Sequence, residues 1–167
     1  MKLTNSFGKI HKTYVLIGGG AGVAVGVSVT AAVGSPLPVL RLLGAEALLP
    51  PVWLLGLLWL VGFGLLGAAA GYALACLTGA PAREAALWRG MTFLVAEVTV
   101  SFAWYSLFFG SFLLFPAWIC LLTGIGAGVA CTLAWFREYR LSCIAVGGVT
   151  LWLVYLALCH ATVILHN

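Results

Sequence analysis

The chain reads as an all-α integral membrane protein, a single domain built as a bundle of five transmembrane helices. Of its 167 residues 63% are apolar and only 7% are charged, and the mean hydropathy is +1.15. That leaves too few polar side chains to coat a surface facing water. Apolar runs of about 20 residues, the length that crosses a hydrocarbon core, occur five times: 13–33, 52–77, 87–109, 117–136 and 141–165. None alternates polar and apolar residues as a barrel strand does. Because lipid offers no partner to backbone N–H and C=O groups, each run must close its own hydrogen bonds as a helix. A water-soluble enzyme is excluded. So is a nucleic-acid partner, because the eight Lys and Arg are scattered between apolar runs and the net charge is only +4.

The first span follows Lys2, Lys9 and Lys12 and ends at Gly34-Ser35-Pro36-Leu37-Pro38. A basic start before an apolar run also marks a signal peptide, but a signal core has roughly 7–15 residues, fewer than this run, which is kept as a helix. The one long connection, 34–49, leads to Pro50-Pro51, which opens the second span just before Trp53. Proline suits a helix start, where its missing N–H would have no partner. Thr78-Gly79-Ala80-Pro81 closes the second span, Gly110 and Pro116 bracket the link between the third and fourth, and Arg137-Glu138-Tyr139-Arg140 separates the last two. With five spans, Lys2, Lys9, Lys12, Arg83, Arg89, Arg137 and Arg140 fall on one side and only Arg41 on the other. The expected orientation is N-terminus cytoplasmic and C-terminus outside. With no organelle-targeting extension visible, the expected location is a bacterial-type cell membrane.

The five cysteines, Cys76, Cys120, Cys131, Cys143 and Cys159, all lie in apolar runs, with no CxxC and no histidine at ligand spacing. They read as small buried hydrophobes, and no metal or cofactor is expected. Small residues recur at four-residue spacing in Gly18, Gly22 and Gly26, in Gly67 and Gly71, and in Gly124 and Gly128. Such stripes let helix backbones approach closely. Packing within the monomer is the preferred reading; a homodimer face on one of them, or on Thr92 with Ala96, is the alternative.

Of seven tryptophans, Trp53, Trp88, Trp118 and Trp135 lie near span ends, as interface anchors do. Trp59, Trp104 and Trp152 sit well inside three different spans. An interior indole N–H needs a partner or a cavity, so the three either line a shared pocket or pack as core. Glu97 is the one charged residue near the middle of a span, where an ionised carboxylate costs about 2.5–3.5 kcal/mol. It is therefore expected to face inward and be neutral, either as part of a functional site or as a hydrogen-bond donor between helices. His160, with no second ligand near it, reads as a hydrogen-bonding residue.

Pro50-Pro51-Val52-Trp53-Leu54-Leu55-Gly56-Leu57-Leu58-Trp59, followed by Phe63, Gly67 and Ala69, resembles the second-helix signature of the TspO/MBR family, the translocator proteins or tryptophan-rich sensory proteins. Phe102-Ala103-Trp104-Tyr105-Ser106-Leu107-Phe108-Phe109-Gly110 is similar to that family's third-helix N-x-x-W-x-x-x-F-F. The segment from Trp135 to Trp152 runs without a gap against its fourth-to-fifth helix, and Asn167 falls where its C-terminal Asn falls. The resemblance covers most of the chain from Pro50 onward. There are departures. The first-loop W-Y-x-x-L-x-K-P-x-W is replaced by Val39, Leu40, Ala45, Glu46 and Leu48, with Leu43 retained. The third-helix Gln and Asn become Glu97 and Ser101. On the fifth helix Pro-Tyr becomes Gly148-Val149, Asn becomes His160, and Trp-Arg becomes Ile164-Leu165.

The resemblance implies a pocket among the five helices that binds porphyrins and other flat aromatic molecules, closed on one side by the first loop. It implies ligand contacts at Trp53, Trp59, Phe63, Glu97, Ser101, Trp104, Trp152 and His160. Glu97 and Ser101, four residues apart, share a helix face, and His160 is a candidate partner for Glu97, so the polar lining is expected to be exchanged as a set. Trp59 and Trp152 match the tryptophans associated with light- and oxygen-dependent porphyrin breakdown. They are the only catalytic candidates, since no nucleophile, dyad or metal site is legible. The sterol-recognition stretch is not matched, because Tyr155 has no Lys or Arg after it. A receptor or carrier is the first expectation, a porphyrin-degrading enzyme the second, and a scaffold whose pocket is filled by side chains the third.

Overall fold

The structure, a computed structural model, describes residues 3–44, 49–77 and 81–166, with side chains from residue 12 onward. The helices are α1 (Leu3–Val33), α2 (Leu37–Leu42), α3 (Val52–Ala75), α4 (Pro81–Tyr105), α5 (Leu114–Trp135) and α6 (Arg140–His166), with a π-helical turn, Ser106–Gly110, continuing α4. All but α2 are long and apolar enough to span a bilayer. Large apolar side chains such as Leu16, Leu133, Ile144, Leu151 and Leu158 point outward. Lipid accepts them there at no cost, so the sequence needs no polar outer face.

Three boundaries differ from the sequence expectation. The third span starts at Pro81 rather than residue 87, because proline at a first helical position and Glu84 in the first turn favour a helix start. Thr78, Gly79 and Ala80 lie outside the described residues. Pro116 lies in the first turn of α5 instead of the preceding link, again where its absent N–H breaks no bond. The connection 34–49 contains a helix, α2, opened by prolines. Its Val39 and Leu40 are buried, and its Glu46 and Leu48 lie outside the described residues.

Around the bundle the order is α1, α3, α6, α5, α4. Neighbours pack along their lengths except at the last seam, where α4 meets α3 and α1 only briefly. The tightest pair is α1 with α3, and glycine is the reason. A Cβ at Gly18 would strike the carbonyl of Gly67, one at Gly22 that of Phe63, and one at Gly71 that of Tyr14. These stripes therefore serve packing inside the chain. Between α4 and α5, Trp135 lies over Gly90 and the Cys131 thiol donates to the Gly90 carbonyl at 3.2 Å.

The start of α4 and the link between α5 and α6 meet at one end of the bundle. There Tyr139 Oη donates to the Arg83 carbonyl at 2.9 Å, and the Arg83 guanidinium pairs with Glu138 at 3.0 Å. Burial pushes the Tyr139 phenol above its ordinary pKa, with the Arg83 charge opposing. All five cysteines are free thiols, and no cluster that could hold a metal occurs among the described residues.

Candidate functional site

An aromatic cluster fills the bundle at the end nearest α2. From α3 come Trp59 and Phe63, one turn apart, edge-to-face at 5.3 Å between centroids. Opposite them α4 presents Trp104 and Tyr105, at 5.2 Å and 5.3 Å from Trp59. The π-helical turn adds Phe108, stacked on Trp104 at 5.8 Å, and Phe109. Offset and edge-on pairs of this kind exceed their area burial by about 0.5–1.5 kcal/mol each. Val29 of α1 and Val39 and Leu40 of α2 close over the cluster, so the rewritten first loop covers the site with aliphatic side chains.

On α6, His160 is buried against Phe108, ring centroids 4.5 Å apart. Its Nδ1 accepts the indole N–H of Trp104 at 3.2 Å. His160 is thus the hydrogen-bonding residue expected, but its partner is Trp104 and not Glu97. Trp152, two turns back on α6, is half-buried and stacks on Tyr155 at 5.2 Å. With Trp59, Phe63, Ser101, Val149 and Leu153 it lines a crevice of only about 10 Å³, room for roughly one water molecule. The indole N–H groups of both Trp59 and Trp152 are buried with no hydrogen-bond partner.

Glu97 is fully buried, facing inward as expected. It sits where α4, α5 and α6 meet, with Thr150 Oγ1 3.5 Å from its Oε1. That hydroxyl donates to the Val146 carbonyl at 2.9 Å, and Glu97 Oε2 has no partner. Room for the carboxyl is made by Gly128, where a Cβ would come within 2.8 Å of Oε1. Of the pair expected to share a face, Ser101 reaches the crevice and Glu97 lies one turn behind it. The polar set is therefore split: Glu97 with Thr150, His160 with Trp104, and Ser101 at the crevice.

Trp53 stands apart. It is 70% exposed at the start of α3, beside Leu37, Leu40, Pro50, Pro51 and Val52 on an open apolar hollow of about 560 Å³. The sequence reading did not single out Tyr105 or Val29. The signal for Tyr105 was present, since residues 104, 105, 108 and 109 lie at the spacing that forms one helix face. Val29 carried no signal, because burial on a helix apolar all round is decided by its neighbours.

The model of the TspO/MBR family matches residues 14–165. Comparison with curated proteins and with solved structures gives no match.

Proposed function

Because the chain belongs to the TspO/MBR family, we propose that it is a membrane receptor or carrier for a flat apolar molecule of the tetrapyrrole class, such as a porphyrin. The ligand lies among the five helices, stacked on Trp59, Phe63, Trp104 and Trp152. The observation that carries this reading is the meeting of aromatics from three helices around two buried, unpartnered indole N–H groups. An orphaned buried donor costs about 1–3 kcal/mol; Trp135 carries another in the packed core against Gly90, whereas those of Trp59 and Trp152 belong to residues that line the crevice. A ligand bearing acceptor atoms satisfies them.

Pockets for such ligands measure roughly 300–1,000 Å³, far more than the crevice between Trp59 and Trp152, so the rings must part to admit one. The same tight filling favours a second reading, the scaffold. Titration with protoporphyrin in the dark and then in light separates the outcomes. Tryptophan quenching that Trp59→Phe or Trp152→Phe weakens, without a new absorbing product, is the expected result. A light-dependent product lost in either variant identifies the degrading enzyme, and no quenching at all identifies the scaffold.

The lysine and arginine distribution further supports an N-terminus facing the cytoplasm. A single cysteine placed near Lys12 should resist a membrane-impermeant thiol reagent added from outside. Labelling there would reverse the orientation.

A further inference from the structure

The five spans fall into two packed groups. In one, α1 and α3 are joined by glycines through direct backbone contact. In the other, α4, α5 and α6 pack along their lengths. The groups are joined where α3 runs beside α6, while on the opposite side α1 and α3 meet α4 and its π-helical turn only briefly. The rings of Trp59 on one group and of Trp104 and Tyr105 on the other face each other across that thin side.

Apolar side chains cover the seam from the α1 side. Val29 and Val33 of α1 cover it, and a Cβ at Gly110 would lie 3.8 Å from Cγ1 of Val33. The hydroxyls of this part of α1 provide no latch to α4: Ser28 donates to the Ala24 carbonyl at 2.9 Å and Thr30 to that of Val27 at 3.0 Å, both on their own helix. Separation of α1 from the π-helical turn thus breaks no side-chain hydrogen bond of Ser28 or Thr30 and exposes the apolar Val29 and Val33, which lipid accepts. Entry from water at the same end has a different obstacle. There Pro36, Val39 and Leu40 of the first loop are buried over the cluster and would have to be lifted out of it.

We propose that the aromatic site of Trp59, Phe63, Trp104 and Trp152 is entered from the bilayer, through the seam between α1 and the π-helical turn, by parting Trp59 from the Trp104–Tyr105 pair it packs against. The ligand class is a flat apolar molecule dissolved in the leaflet on the α2 side. This rests on the binding function proposed above and adds where the ligand goes in and which contact must open.

The test is a reversible staple. Val33→Cys with Gly110→Cys places two thiols near the spacing of a disulfide across the seam. Gly19→Cys with Ala68→Cys, whose Cβ atoms would be 3.7 Å apart, staples α1 to α3 and leaves the seam free. Both are oxidised with copper phenanthroline in phosphatidylcholine vesicles, and the new bond is located by mass spectrometry among the five native thiols. Protoporphyrin is then added in the dark, and the quenching that depends on Trp59 is followed in time. Gating of this kind predicts that the oxidised seam variant loads about tenfold or more slowly than the same protein after reduction, while the control pair loads equally in both states.

Equal loading of the oxidised and reduced seam variant overturns the portal and leaves the binding function standing. Absence of Trp59-dependent quenching in the reduced protein overturns the binding function and the portal with it. If the double variant does not fold, Gly110→Cys alone, coupled to a bulky maleimide, should load slowly. Gly20→Cys, which points into open space, should tolerate the same label. Equal rates for the two labelled proteins overturn the portal.

Discussion

Glu97 shows how a single buried acid is accommodated at the level of one side chain. Its carboxyl fits only because residue 128 is glycine and residue 150 turns its hydroxyl onto its own helix. Gly128→Val should therefore be among the most damaging single changes. It forces the carboxyl and Thr150 aside in a closed three-helix junction, a loss of about 1–3 kcal/mol measurable as a lower thermal midpoint in detergent. Glu97→Gln keeps the volume and supplies both a donor and an acceptor, so its stability should stay within about 1 kcal/mol of the parent. A collapse of the Gln variant would show that the carboxyl does something an amide cannot. The Trp104–His160 bond invites a paired test. Trp104→Phe strands a buried imidazole nitrogen at a cost of about 1–3 kcal/mol. Adding His160→Leu should return part of that loss, because two apolar groups leave nothing unpaired.

Among the helices, the pairing of α1 with α3 depends on the absence of side chains. Gly22→Ala meets the backbone carbonyl of Phe63, which cannot swing away, so the two helices must separate. The expected loss is about 1–3 kcal/mol. Gly20→Ala, with open space beside it, should be neutral or stabilising by up to about 1 kcal/mol, since alanine is the better helix former. Equal effects at the two positions would contradict the described packing. The helices themselves were legible from runs of apolar residues, because span length is imposed by the bilayer and not by neighbours. Their boundaries were less so: Pro81 and Pro116 were read as breaks, yet each sits in a first turn, where proline is tolerated. The short helix α2 escaped notice because fewer than two turns leave no periodicity to read.

At the scale of the whole molecule, a ligand that binds among the aromatic side chains must stabilise the folded bundle. Protoporphyrin at a hundredfold excess over its dissociation constant should add about 2.7 kcal/mol, read as a raised midpoint in a dark thermal scan and absent in Trp59→Ala. A scaffold with a permanently filled interior would show no such rise. The fold class, the five spans and the family were determined by the sequence itself. Hydropathy answers to the membrane, and Trp59, Trp104 and the Phe108-Phe109 pair keep their spacing along the chain. The sequence also supplied the three interior tryptophans but left open whether they share a place. Tertiary structure decided that, bringing Trp59 against Trp104 and setting Trp152 across a crevice from Trp59. It left Trp53 outside the aromatic cluster, at the exposed span end where its position had also put it, gave His160 to Trp104 instead of Glu97, and put Glu97 behind the crevice with Thr150. The physical reason is the same in each case. On a helix apolar all round, no polar face marks which side is buried, so direction is set only by the neighbour that the glycines allow to come close.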